Sequence, residues 1–355
     1  MTNRRLSLPP ALLLFLLSPV IAELLSGSAP PAEFFTPFGF LMIISLYGSG
    51  AVVVRELKVR WRKGVGSILL LGAAYGVLEE GLMVTSWFSP YWADLGAMAV
   101  YGRLLGVNWV WAEMLTIYHA VFSITIPILF VELAYPERRS ERWVGKKLFA
   151  ALLVVLFSLT VFGFFLFSTL MNYWTPAPQY LFGIALMFIF VLLARKLPAD
   201  WGQMGKKALS KPSVLWLVAA IASFAFFLGF YSSPSLVPWP VAMIYGLLLI
   251  FLMVKSMTRL NWREKANDMH VFALCSGALT FFLVFAPLQE LDSTRTDVRT
   301  GMSLVSLASA IGLIWLGLKV RKQNKDSSAT GSHVPTPQSS SVAETMFRES
   351  SKSSL

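Results

Sequence analysis

The sequence holds 355 residues, of which 56% are hydrophobic and 14% charged, with a formal net charge of +11 and a mean hydropathy of +0.64. That balance excludes a soluble globular chain and places the protein among integral membrane proteins, where length counts bilayer crossings instead of domains. The positive charge lies in short loops and not on a soluble domain, so the partner it indicates is the lipid bilayer and not nucleic acid.

Ten apolar segments follow in chain order, at 8–25, 37–54, 66–88, 108–133, 148–170, 178–195, 213–231, 238–254, 269–287 and 301–319. A helical crossing takes roughly 20 apolar residues, and lipid offers no partner to open backbone groups. The predicted fold class is therefore all-α, a polytopic transmembrane helix bundle of about ten spans. Residues 1–320 form the transmembrane domain, and 321–355 are expected to be a disordered, Ser-rich cytoplasmic tail. The first segment also has the outline of a secretory signal, with Arg4 and Arg5 before it and Gly27-Ser28-Ala29 after it. Glu23 and the prolines make a poor signal core, so the segment is expected to stay as a span.

The loops alternate in charge. One side collects Arg4, Arg5, the 55–63 and 138–147 clusters, the 195–211 and 255–265 clusters, and the basic residues from Lys319 onward. That is 27 of the 30 Lys and Arg residues; Arg103, Arg295 and Arg299 fall on the other side. Basic loops stay in the cytoplasm, which predicts a multi-pass cell-membrane protein with both termini inside. Trp87, Trp92, Trp109, Trp174 and Trp239 at outer ends, and Trp61, Trp143 and Trp262 at inner ends, mark the expected interfaces. Cys275 is the only cysteine, so there is neither an intrachain disulfide nor a Cys-based zinc site.

Ionisable residues within the apolar segments are confined almost wholly to the first four, residues 8–133. They are Glu23, Glu79, Glu80, Glu113 and His119. Each is costly in hydrocarbon, roughly 2.5–3.5 kcal/mol on insertion scales, so the group is expected to share partners or water. With the third segment running outward to Phe88, Glu79 lies about 13 Å below the outer boundary, and His119 about 16 Å below the start of the fourth. The expected pocket opens outward. Adjacent glutamates diverge by about 100° on a regular helix, so one faces the site and the other a neighbouring helix. Tyr75 shares the face of Glu79, and Ser123 that of His119. Pro127 frees the carbonyl of Ser123 one turn from His119. Arg55, Glu56 and Glu132, at inner ends, need only snorkel to water.

The run Ala-Ala-Tyr-Gly-Val-Leu-Glu-Glu-Gly at 73–81, followed by Leu-Thr-Ile-Tyr-His-Ala at 115–120, resembles the CAAX-prenyl-protease-like (Abi) membrane family. That resemblance implies an intramembrane hydrolase in which Glu79, Glu80 and His119 are catalytic. The family's Arg after the glutamate pair is absent here, residues 81–85 reading Gly-Leu-Met-Val-Thr, and its further His has no counterpart. Read from the residues alone, Glu23, Tyr75, Glu113 and Ser123 are candidate binding groups around that centre. The same carboxylates suit a proton- or cation-coupled carrier or a noncatalytic assembly protein. No cofactor is marked by a motif; carboxylate and imidazole together can ligate zinc or manganese, without a tight spacing such as His-Glu-x-x-His.

Overall fold

The computed structural model describes residues 8–202, 205–260, 268–292 and 297–331. Its helices are α1 (Pro10–Leu25), α2 (Pro37–Arg60), α3 (Val65–Met83), α4 (Trp109–Ala134), α5 (Lys146–Leu170), α6 (Ala177–Lys196), α7 (Pro212–Leu236), α8 (Trp239–Thr258), α9 (Asp268–Leu291) and α10 (Met302–Gly331). Among the described residues, α2 to α10 are nine helices long and apolar enough to cross a membrane, and α1 is shorter. The starts follow local chemistry. Thr36 caps α2 by accepting from Gly39 N at 3.1 Å, and Asn108 caps α4 by accepting from Trp111 N at 3.0 Å. Proline occupies the first turn of α2, α6, α7 and α8, where its missing N–H has no helical partner to lose.

Four boundaries differ from the sequence reading by five residues or more, among them the seventh helix, which runs past residue 231 to Leu236. The third helix stops at Met83, short of Phe88, because the chain turns at Thr85 with φ 54° and folds back over the bundle. The second continues past residue 54 to Arg60. The last runs through Gly331, so residues 321–331, expected in the tail, are helical. The rest of the tail lies outside the described residues. So do Arg4, Arg5, Trp262, Arg263, Lys265, Arg295, His333, Arg348 and Lys352.

Burial separates a centre from a periphery. In their most apolar stretch α3 is 78% buried and α4 72%, whereas α5, α6, α8 and α10 are 11–17% buried and present leucine, valine and phenylalanine outward. Helices apolar all round belong against lipid. Glu79, Glu80, Glu113 and His119 therefore sit on the two helices best shielded from the surroundings, and Glu23 on α1. α2, α5 and α6 pack on α3, α9 and α10 on α4, and α1 on both α2 and α4, while α7 packs on α9.

At the basic face, Arg55 (0% exposed), Glu56 (0%) and Glu132 (4%) do not snorkel. The loop at 138–143 closes over them instead. Arg55 donates to the carbonyls of Glu141 (2.5 Å), Arg138 (3.2 Å) and Arg139 (3.0 Å), stacks on Trp143 at 3.4 Å, and pairs with Glu56 at 3.0 Å. Glu56 accepts from Trp143 N at 2.7 Å, and Lys58 pairs with Glu132 at 2.7 Å. Partners some 80 residues downstream thus replace water.

Candidate functional site

Glu79 and Glu80 would splay on a regular helix. α3 avoids this by turning π-helical over Val77–Met83, where Val84 N donates to Glu79 O, five residues back, at 2.9 Å. α4 does the same over His119–Thr125, and α1 over Val20–Leu25. Each of these π-helical segments carries an ionisable residue of the cluster.

The result is convergence. His119 Nε2 lies 3.2 Å from Glu80 Oε1, and His119 Nδ1 lies 3.4 Å from Glu79 Oε2 and 3.0 Å from Ser123 Oγ. Both carboxylates therefore meet one imidazole, against the expectation that one would turn away. Gly72 and Gly76 permit it: a Cβ on Gly72 would stand 2.8 Å from Ala120 Cα, and one on Gly76 3.0 Å from His119 Cβ. This small-xxx-small seam lets the α3 and α4 backbones touch.

Around that core the network widens. The Tyr47 hydroxyl bridges Glu23 Oε1 and Glu79 Oε1. A phenol has one proton, so one of those two contacts needs a proton held by the carboxyl group. Ser86 Oγ donates to Glu80 Oε2 and accepts from Trp111 Nε1 at 3.0 Å. Tyr118 donates to the Ala22 carbonyl, and Ser18 donates at 2.7 Å to the Ser123 carbonyl that Pro127 leaves open. The rings of Tyr47, Tyr75 and Tyr118 stand 5.1–6.1 Å from that of His119. The Tyr75 hydroxyl has no hydrogen-bond partner among the described residues.

The site is closed, not open outward. His119 is 1% exposed and Glu79 6%, and the Glu80 side chain is 13% exposed. Ser86, Trp87 and Phe88, at 0–1% exposure, plug the mouth that the longer α3 would have left. A short hairpin, β1 (Arg103–Leu104) and β2 (Val107–Asn108), anchors this loop. Asn108 N donates to Trp87 O at 2.8 Å, and Arg103 donates to the carbonyls of Phe88 (2.8 Å), Ser89 (2.7 Å) and Ala99 (2.5 Å). Partial burial pulls the Arg103 pKa down from its ordinary value, opposed by Tyr173. Arg299 is similarly occupied, donating to Gly27 O at 2.6 Å.

Of the residues singled out from sequence, Glu79, Glu80, His119 and Ser123 meet directly, Tyr75 packs beside them, and Glu23 joins through Tyr47. Glu113 does not join. It faces α7 and α8, where a Cβ on Gly246 would come within 2.5 Å of Glu113 Oε1 and of Phe230, and both its oxygens are shielded without a hydrogen bond among the described residues. Tyr47, Ser86 and Trp111 escaped the sequence reading, since an aromatic or a serine beside an apolar run has no distinguishing mark. Among the described residues, His119 is the only basic side chain within ion-pair distance of Glu79 and Glu80. One potential ligand atom from each of these three lies within 4.8 Å of the others. Chemically, the set can exchange protons or hold a cation.

A family model described as an uncharacterized membrane protein family matches residues 12–325. No curated protein and no solved structure matches the chain. The likeness to CAAX-protease-like enzymes thus rests on the Glu-Glu and His pattern alone.

Proposed function

The chain belongs to that membrane protein family, and from this premise we propose that Glu79, Glu80 and His119 are the catalytic centre of an intramembrane hydrolase acting on a membrane-embedded substrate. The supporting observation is that two carboxylates and an imidazole converge within 3.2–3.4 Å in a site shielded from the surroundings. Burying such groups is unfavourable unless they are used or compensated. A carboxylate of the pair takes a proton from water as the water oxygen adds to the substrate carbonyl carbon, His119 orients that water or donates to the carbonyl oxygen that gains charge, and the same proton passes to the leaving nitrogen as the C–N bond breaks. Ser123 fixes the imidazole and Ser86 fixes Glu80. Substrate enters on displacement of the Ser86–Phe88 plug. In this reading the plug lies on the outer side of a cell membrane and both termini lie inside, an orientation that the charge asymmetry of the loops supports. The test is peptide cleavage in proteoliposomes by Glu80→Gln and His119→Ala. Loss of about 100-fold or more is expected, and undiminished cleavage refutes the assignment.

One observation favours a second reading, a proton-coupled carrier. The Tyr47 bridge between Glu23 and Glu79 links α1 to α3 by a proton-conducting path. Uptake driven by a pH gradient and lost in Tyr47→Phe supports it; cleavage retained in Tyr47→Phe with no driven uptake removes it.

A further inference from the structure

We infer that Glu79, Glu80 and His119 hold a single divalent transition-metal cation of the zinc or manganese class. One ligand atom from each residue lies within 4.8 Å of the others, and the mixed nitrogen and carboxylate donor set suits these ions better than magnesium or calcium.

Three further observations point to a ligand there. First, Glu79 Oε2 belongs to a residue only 6% exposed, has no hydrogen-bond partner among the described residues, and stands 3.4 Å from His119 Nδ1. A buried carboxylate oxygen without a donor is a strongly disfavoured arrangement. Second, each of the three residues has another polar atom already held from outside: Glu79 Oε1 by Tyr47, Glu80 Oε2 by Ser86 and His119 Nδ1 by Ser123. Outer partners of this kind fix the orientation of metal ligands. They leave Glu79 Oε2, Glu80 Oε1 and one ring nitrogen of His119 available to an ion. Third, the two carboxylates have no Lys or Arg within ion-pair distance among the described residues. A divalent cation neutralises both without a further protein charge. Three protein ligands also leave a position for water.

This inference concerns the site of the proposed hydrolase, and it is read out as bound metal instead of turnover, so the two fail separately. Purified full-length protein in detergent is stripped with a chelator, passed through size exclusion, re-equilibrated with zinc or manganese chloride, and analysed for metal by mass spectrometry. About one ion per chain is expected. The Glu79→Gln/Glu80→Gln pair should lose at least about ten-fold of that occupancy, and Tyr47→Phe should weaken affinity about 10–100-fold. Glu113→Gln, which changes a carboxylate remote from the cluster, should retain it. If the double variant is not monodisperse, Glu80→Gln alone carries the comparison. Monodisperse wild-type protein that takes up no ion, or a monodisperse Glu80→Gln that binds as tightly as wild type, overturns the inference. Metal bound without cleavage leaves it standing and counts against the hydrolase; cleavage by a chain that takes up no ion overturns it and leaves the hydrolase standing.

Discussion

Gly72→Ala is the most direct probe of how the centre is assembled. The added Cβ would meet Ala120 Cα at 2.8 Å, the Ala120 carbonyl oxygen at 3.0 Å and Ile124 Cβ at 3.2 Å. Two of these atoms are backbone, so no side chain can rotate away. Restoring ordinary contact needs α3 and α4 to part by roughly 0.6 Å, a gap that forfeits about a quarter to a half of the dispersion attraction along the seam. Overpacking of this kind costs about 1–3 kcal/mol. The same displacement carries the 3.2 Å contact between Glu80 and His119 beyond hydrogen-bond range. Cys275, the only cysteine and buried, makes the assay simple: a thiol-reactive fluorogenic dye reports unfolding as the protein is heated. Gly312→Ala is the control, because a Cβ there meets nothing within 4 Å and gains about 0.5–1 kcal/mol of helix preference. The expected order of melting temperature is Gly312→Ala at or above wild type and Gly72→Ala below it. Equal melting of the two variants would refute the close-approach argument.

Three other outcomes follow from the packing. Arg55→Ala takes from buried Glu56 and Glu132 one of their two cationic partners, leaving them Arg60 and Lys58, and strips three loop carbonyls of their donor, so it should destabilise by about 1–3 kcal/mol in the same assay; Arg55→Lys should not rescue it, since an ammonium cannot reproduce the fork onto three carbonyls. Arg103→Ala should speed amide exchange across Val84–Asn108 while α3 and α4 keep their protection; unchanged exchange there would mean the hairpin holds the plug unaided. Glu113→Met removes two shielded, unpartnered oxygens in exchange for an unbranched apolar chain, so melting should be unchanged or raised. A drop of several degrees would show that the carboxylate makes an interaction the geometry does not display.

Hydropathy and loop charge make the helices legible because each crossing must satisfy its own backbone and exclude charge. The limits of that reading lie at particular residues. Val84 through Phe88 continue the apolar run of α3, so composition alone extends the helix through Thr85, where the backbone instead turns. The ionisable residues were visible because charge stands out in an apolar segment, and Pro127 announced an open carbonyl at Ser123. Their convergence was not visible, since a regular helix forbids it and no residue type announces a π-helical turn. Arg55 and Glu56 read as snorkelling because they stand near a helix end; the loop that buries them enters only at residues 138–143.

The π-helical segments of α1, α3 and α4 also bear on how this centre tolerates changes in chain length. A segment of this kind holds one residue more than the α-helix it interrupts. Deleting a single residue within Val77–Met83 would let the segment close to a regular α-helix with its flanking turns still in register, and on such a helix Glu79 and Glu80 diverge again by about 100°. Both glutamates and the histidine could persist in the sequence while no longer facing one another. The centre is therefore encoded by residue count as much as by residue identity, and two chains of this family that differ by one residue here could share every polar side chain and differ in whether they possess a site at all.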